Sequence, residues 1–254
     1  MTAAVLFDLG NTLAAYYRRE EFGPILERAV ARTRDQVQFA GLDVVDLDVA
    51  MERAVAENRE AADFRFAPMA DRLARIFDLE EGPRAELGES LCKCFLEPIF
   101  EVGRAYPDAR STLAQLRSQG YRTAIVSNAP WGSPPELWRR ELHRLGLAQL
   151  VDLVVFCGDV GWRKPSKLIF EHARDRLGVQ SDECSFVGDD LEWDVAGSAA
   201  AGMHPVLIDR DNRYPNFNGV RIRNLDDLAA ALSHGDRMHV QSPPMSCARD
   251  LEAE

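Results

Sequence analysis

Residues 3–13 read AAVLFDLGNTL, a short apolar run that ends at an aspartate, Asp8. Two later runs have the same form, since one leads into Ser127 and Asn128 and the other into Gly188 and Asp189. Short apolar runs of this kind are typical of strands in a parallel sheet that is covered on both faces. Together with two further apolar runs, the sequence predicts strands at residues 3–7, 123–126, 153–156, 184–187 and 205–208.

Helical patterns alternate with these strands. The amphipathic stretches 109–119, 166–177 and 195–201 each stop at a glycine, the residue that often follows the last turn of a helix. Alternating strands and helices predict right-handed crossovers and an α/β fold with a Rossmann-like open parallel sheet. Ligands of such sheets bind at the carboxyl ends of the strands. We therefore expect the polar residues that follow the strands to meet at one edge of the sheet.

The segment 16–100 differs from the rest of the chain, because it has helical periodicity and no convincing strand. We predict that it is an α-helical cap domain inserted into the core, with the helices forming a bundle. The core would then consist of residues 1–15 and 101–233, and residues 234–254 would be a loosely ordered tail. The predicted helices of the insertion are 24–39, 46–62, 68–77 and 84–100.

Composition and charge exclude several classes of protein. The chain has 254 residues, 46% of them hydrophobic and 28% charged, as expected of a soluble globular protein. A net charge of −11 argues against a protein that binds nucleic acid or an anionic membrane. A small phosphorylated substrate is compatible with this negative net charge, because a cation bound at one site can outweigh the charge of the whole protein there. The five scattered cysteines do not indicate a disulfide framework, so we expect a cytoplasmic protein. It could be a monomer or a homodimer.

Four short segments carry a combined signature. They are FDLGNTL at 7–13, SN at 127–128, GWRKP at 161–165 and GDDLEWD at 188–194. In this order they resemble the four motifs of the haloacid dehalogenase superfamily, and the resemblance spans about residues 3–230. It implies a Rossmann-like core with a helical cap between the first and second motifs. It also implies a hydrolase in which Asp8 is the nucleophile.

The first and last of these segments offer ligands for a metal ion. A carboxylate that attacks phosphorus approaches a group that is already anionic, so a cation has to offset the repulsion. A hard divalent ion with oxygen ligands suits this task, and we expect Mg²⁺. Asp8 and Asp189 are the predicted protein ligands, and the resemblance adds the backbone carbonyl of Gly10. Asp194 is predicted to be a further ligand through water or the partner of Lys164.

The other two segments offer positive charge and hydrogen-bond donors. Lys164 can place a compact charge beside the nucleophile and the phosphate oxygens. Ser127 can donate a hydrogen bond to a phosphate oxygen, and Asn128 can support the same turn. The backbone N–H groups of Leu9 and Gly10 are further candidate donors. Together these groups would stabilise the charge of the transition state, and the product would be an aspartyl-phosphate that water later cleaves.

One position departs from the family pattern. Phosphatases that the chain resembles usually carry a second acid two residues after the nucleophile, and here that residue is Gly10. The acid protonates the leaving oxygen, and general acid–base help of this kind is worth roughly 10²–10⁴-fold. Its absence predicts a slower enzyme, a substrate with a good leaving group, or an acid supplied by the cap. A weakly catalytic phosphate-binding protein is also compatible.

Substrate choice is expected to depend on residues at the entrance of the site. Tyr16, Tyr17, Arg18 and Arg19 follow the first motif, and Trp131 lies in a loop at the same sheet edge. Arg18, Arg19 and Trp131 are therefore predicted substrate contacts. The alternative function is a 2-haloacid dehalogenase-type hydrolase, in which the aspartate attacks carbon without a metal and an arginine, Arg18 or Arg19, receives the halide.

Overall fold

A computed structural model describes residues 2–59 and 61–235. Its main sheet has six strands, all of them parallel, and a separate antiparallel pair joins two very short strands. The prediction of an open parallel sheet is confirmed, and every predicted strand is present. The strands are β1 (Ala4–Phe7), β2 (Ala14–Ala15), β3 (Arg104–Ala105), β4 (Arg122–Ser127), β5 (Leu153–Phe156), β6 (Cys184–Gly188), β7 (His204–Ile208) and β8 (Arg221–Ile222).

Strand β1 lies at the centre of the sheet, whose order is β5-β4-β1-β6-β7-β8. All residues of β1 are fully buried, as its continuous apolar sequence predicts for a strand covered on both faces. In the register of the sheet, Phe7 lies beside Ile125 of β4 and Val187 of β6. Consequently Asp8, Ser127 and Gly188 emerge at the same edge, next to one another.

The helices follow the predicted pattern with several differences. The helix predicted at 46–62 ends at Glu57, and the helices Cys157–Val160 and Leu228–Gly235 were not predicted. The helix α6 was not predicted, because the pair Pro134-Pro135 resembles a break, whereas proline at the first helical position is well tolerated. The helix predicted at 195–201 begins earlier, with a π-helical turn at Leu191–Ala196. The helices are α1 (Phe22–Phe39), α2 (Leu47–Glu57), α3 (Met69–Phe77), α4 (Glu81–Val102), α5 (Pro107–Ser118), α6 (Pro135–Arg144), α7 (Cys157–Val160), α8 (Lys167–Leu177), α9 (Gly197–Ala200) and α10 (Leu228–Gly235).

Helices α1 to α4 lie between β2 and β3 in the chain, and α1 packs along α4. The connection between α2 and α3 contacts the carboxyl-terminal side of the sheet. There the backbone N–H of Phe66 donates to the carbonyl of Gly161 at 3.0 Å, and the N–H of Arg163 donates to the carbonyl of Phe64 at 2.8 Å. These hydrogen bonds hold the helical insertion against the segment that carries Lys164.

The last described helix, α10, ends at Gly235. The predicted tail 234–254 therefore begins within that helix, and its residues 236–254 lie outside the described residues. Among residues 2–59 and 61–235, no helix is both long and apolar enough to cross a membrane. The four cysteines in these ranges, Cys92, Cys94, Cys157 and Cys184, form no disulfide with one another.

Candidate active site

Asp8 follows the central strand directly, and its residue is 7% exposed. One carboxylate oxygen, Oδ1, accepts a hydrogen bond from Ser127 Oγ at 2.9 Å and another from Lys164 Nζ at 2.6 Å. Both contacts join residues that are more than 100 positions apart in the chain, so they depend on the register of the sheet and on the loop that carries Lys164. The carboxylate is thereby held in one direction at the floor of a cavity.

Lys164 lies between two carboxylates, since Nζ also donates to Asp194 Oδ1 at 2.6 Å. Asn128 fixes the backbone of Lys164 from both sides, with Oδ1 accepting from its N–H at 2.8 Å and Nδ2 donating to its carbonyl at 3.2 Å. Burial alone would lower the pKa of Lys164, but the charges and hydrogen bonds of Asp194 and Asp8 outweigh burial and raise it. The ammonium group is therefore a permanent cation.

Three carboxylates converge beside this ammonium group. Oxygen atoms of Asp8, Asp189 and Asp194 all lie within 4.8 Å of one another. Burial, followed by the charge of Asp8, raises the pKa of Asp189 to about 6, and burial also raises the pKa of Asp194 against the opposing effect of Lys164. Three acids face the buried Lys164 and the more exposed Arg213, so one carboxylate is in excess. An oxygen-only donor set of this kind fits a hard divalent cation such as Mg²⁺.

Two adjacent acids in the loop after β6, Asp189 and Asp190, make different contacts. Asp190 caps the following helical turn, because its Oδ1 accepts from the N–H groups of Glu192 at 2.8 Å and Trp193 at 2.7 Å. Asp189 instead places a carboxylate oxygen close to those of Asp8 and Asp194. Gly188 is required here, since a Cβ at this position would lie 2.3 Å from the carboxyl carbon of Asp194. The glycine therefore lets Asp194 approach the end of the strand and reach Lys164.

A cavity of about 360 Å³ lies above these groups. Its lining includes the predicted Leu9, Gly10 and Asn128, and it also includes Arg213, which the sequence did not indicate. Arg213 Nη2 donates to Asp189 Oδ2 at 2.9 Å. The buried carboxylate of Asp209 accepts from the N–H of Arg213 at 2.7 Å and holds the loop after β7 in place. In the sequence, the indication that Arg213 could reach the site is that its loop follows β7, a strand of the parallel sheet.

A model of the family described as haloacid dehalogenase-like hydrolase matches residues 2–202. The chain belongs to this family. The match includes all four motifs and the helical insertion, and it agrees with the parallel sheet and with the position of Asp8 at the end of its central strand. The chain is therefore a hydrolase of the haloacid dehalogenase-like family.

Several known proteins are similar to the chain over most of its length. Ribulose-1,5-bisphosphate 5-phosphatase of Halopiger xanaduensis is 33% identical over 219 residues, which are 82% of the chain and 85% of that protein. Glyceraldehyde 3-phosphate phosphatase of Methanopyrus kandleri is 30% identical over 248 residues, covering 92% of the chain and 99% of that protein. The crystal structure of a phosphatase of this family from Thermococcus onnurineus matches with a TM-score of 0.65 at 30% identity, covering 91% of the chain and 98% of its own.

Three predicted substrate contacts lie elsewhere in this haloacid dehalogenase-like hydrolase. Arg18 and Arg19 are exposed at a short 3₁₀ turn, where the N–H of Arg18 donates to Glu21 Oε2 at 2.7 Å. Trp131 is only 4% exposed, and its ring packs against Phe95 of α4 with the centroids 5.0 Å apart. None of the three lines the cavity, because the turn faces solvent and the tryptophan belongs to the core.

Proposed function

We propose that the chain is a Mg²⁺-dependent phosphatase of a small phosphorylated metabolite, with Asp8 as the nucleophile. The observation that carries the proposal is the shared cavity of Asp8, two further carboxylates and the buried Lys164. The phosphatase names of the similar proteins support the same reaction class. The volume of about 360 Å³ lies near the lower end of the range for ligand pockets, which supports a small substrate.

The positions of the side chains support this reaction. Asp8 Oδ1 accepts the hydrogen bonds of Ser127 and Lys164, which leaves the lone pairs of Oδ2 for attack on phosphorus. Lys164 and Ser127 then stabilise negative charge as the bond from Asp8 to phosphorus forms and the bond to the leaving oxygen breaks. Water cleaves the resulting aspartyl-phosphate and regenerates Asp8.

Asp8, Asp189 and Asp194, with the carbonyl of Gly10, would hold the divalent ion. The bound ion would supply the positive charge that allows an anionic carboxylate to approach an anionic phosphate. We also propose that helices α1 to α4 act as the cap, since Ile99 of α4 and Tyr16 and Tyr17 of the preceding linker line the cavity. The cap would exclude water and select the substrate. The cytoplasmic location stays a prediction.

Metal removal tests the proposal directly. We expect the purified protein to hydrolyse members of a panel of phosphorylated metabolites with Mg²⁺, and to lose at least about 100-fold of that activity when EDTA removes the ion, since the ion is worth several kcal/mol of transition-state stabilisation. Released phosphate is measured, and restoring Mg²⁺ in excess over EDTA is the control. Equal turnover in EDTA and in Mg²⁺ would contradict a metal-dependent mechanism.

The dehalogenase alternative is less consistent with the site. A metal-free mechanism would leave Asp189 and Asp194 beside Asp8 with Lys164 as the central cation. The arginines predicted to receive the halide, Arg18 and Arg19, are exposed and outside the cavity. Release of chloride from 2-chloropropionate in EDTA, with no turnover of any phosphate, would favour this alternative over the phosphatase.

The missing acid leads to a second prediction, which concerns the variant Gly10→Asp. A Cβ at this position meets no atom within 4 Å, so the side chain has room in the cavity. We expect kcat on alkyl phosphates to rise about tenfold or more, because the new acid can protonate a poor leaving group. On p-nitrophenyl phosphate, whose leaving group needs no proton, the rate should change little. Gly10→Asn is the matched control, and an equal gain in that variant would mean that protonation is not the cause.

A further inference from the structure

Tyr16 is held firmly between the core and the helical insertion. It directly follows β2 and forms part of the linker that leads into α1. Its ring makes an edge contact with Trp138 of α6, with the centroids 5.5 Å apart. In the returning linker, Gly103 lies against the same ring, where a Cβ would be 2.8 Å from Tyr16 Cε1 and 2.7 Å from Glu141 Oε1. These contacts leave the ring little freedom.

The hydroxyl group of Tyr16 is buried, and within residues 2–59 and 61–235 it has no hydrogen-bond partner. Buried polar groups are nearly always paired in native proteins, so an unpaired one requires an explanation. Tyr16 lines the same cavity as Asp8 and Lys164, whereas Thr12 and Arg210, which also have an unpaired buried atom, do not line it. A ligand in the cavity could therefore supply the missing partner of this hydroxyl group.

The position of Tyr16 in the chain brings it close to the site of the missing acid. Gly10 forms a bridge with Ala14, two residues before Tyr16, and the N–H of Asn11 donates to the carbonyl of Ala14 at 2.7 Å. The turn thus folds the chain back beside Gly10, where no side chain fills the space. We infer that the Tyr16 hydroxyl donates a hydrogen bond to the leaving oxygen of the substrate, an inference that rests on the proposed phosphatase function.

The phenol acts as a hydrogen-bond donor and keeps its own proton. Burial raises the pKa of Tyr16 well above its ordinary value, with the charges of Glu141 and Asp8 adding to the increase and that of Arg144 opposing it. When Asp8 bonds to phosphorus, the leaving oxygen takes the electron pair of the broken bond, and the hydrogen bond stabilises that charge. Water protonates the leaving oxygen, and the hydroxide formed cleaves the aspartyl-phosphate, so one water is consumed per phosphate released.

Tyr16→Phe tests this inference because it removes only the hydroxyl group. Initial rates are measured with Mg²⁺ on a series of phosphates that runs from p-nitrophenyl phosphate to simple alkyl phosphates. Since a hydrogen bond to a developing charge is among the stronger ones, we expect a loss of about tenfold or more on alkyl phosphates and less than about threefold on p-nitrophenyl phosphate. Tyr121→Phe, the same change just before β4 and outside the cavity, is the control.

The ratio of the two rates does not depend on how much of the variant is folded, so a folding defect cannot imitate the result. A loss by the same factor on every substrate, or no loss, would overturn the role of Tyr16 while leaving the phosphatase function intact. A wild-type protein that hydrolyses no member of the series in Mg²⁺ would instead contradict the proposed function, and this inference with it.

Discussion

Replacing Asp8 with asparagine is expected to lower kcat on any phosphate substrate by at least about 10³-fold, because the amide cannot form the aspartyl-phosphate. Asparagine has the same shape, and its oxygen can still accept the hydrogen bond of Ser127. Lys164 retains Asp194 as a partner at 2.6 Å. The loss should therefore appear in kcat in an otherwise folded protein, and initial rates with Mg²⁺ measure it.

The stability of this variant gives an independent check. Asp8 is one of three clustered carboxylates and shares the buried ammonium of Lys164 with Asp194, so removing its charge should leave the free energy of unfolding without metal unchanged or higher. Urea unfolding in EDTA measures this. Asp175→Asn, the same change at an exposed residue of α8, is the control and should leave activity and stability unchanged. Undiminished turnover by Asp8→Asn would exclude Asp8 as the nucleophile.

The strand ends of the site could be predicted from local sequence, because each is an apolar run that stops at a polar residue. Asp8 and Ser127 meet through the register of neighbouring strands, and the topology rule for parallel sheets requires that meeting. Lys164 and Asp194 are different, since the first lies in a loop after α7 and the second in a π-helical turn. Periodicity does not indicate either of them, and only the combination of four motifs does.

Arg213, which the sequence missed, and Trp131, which it placed wrongly, both depend on tertiary contacts. Arg213 lies in a polar loop whose path is set by the buried Asp209, and nothing in the local sequence indicates that the loop turns toward Asp189. Tyr16 and Trp131 are both aromatic residues close to motifs. One lines the cavity and the other packs against Phe95, a difference that depends on how the helical insertion meets the core.

Replacing Lys164 with methionine is expected to impair both stability and activity. The side chain is 2% exposed and touches two carboxylates, each at 2.6 Å. Removing one partner of a buried ion pair typically destabilises a protein by about 3–5 kcal/mol, because the remaining charge is left buried and uncompensated. Activity should fall at least about 100-fold with the loss of a charge that stabilises the transition state. Urea unfolding in EDTA and initial rates in Mg²⁺ measure the two effects.

The origin of the destabilisation can be isolated with a second substitution. Lys167→Met, the same change at an exposed residue of α8, controls for the change from lysine to methionine and should alter stability little. Adding Asp194→Asn to Lys164→Met should recover part of the lost stability, because it removes one of the buried charges that the first change left unpaired. Residues in direct contact are expected to show such non-additivity. If the two substitutions destabilise the protein additively, Lys164 does not contribute to folding by balancing the charge of the carboxylates. The proposed role of Lys164 in holding these carboxylates together would then be wrong.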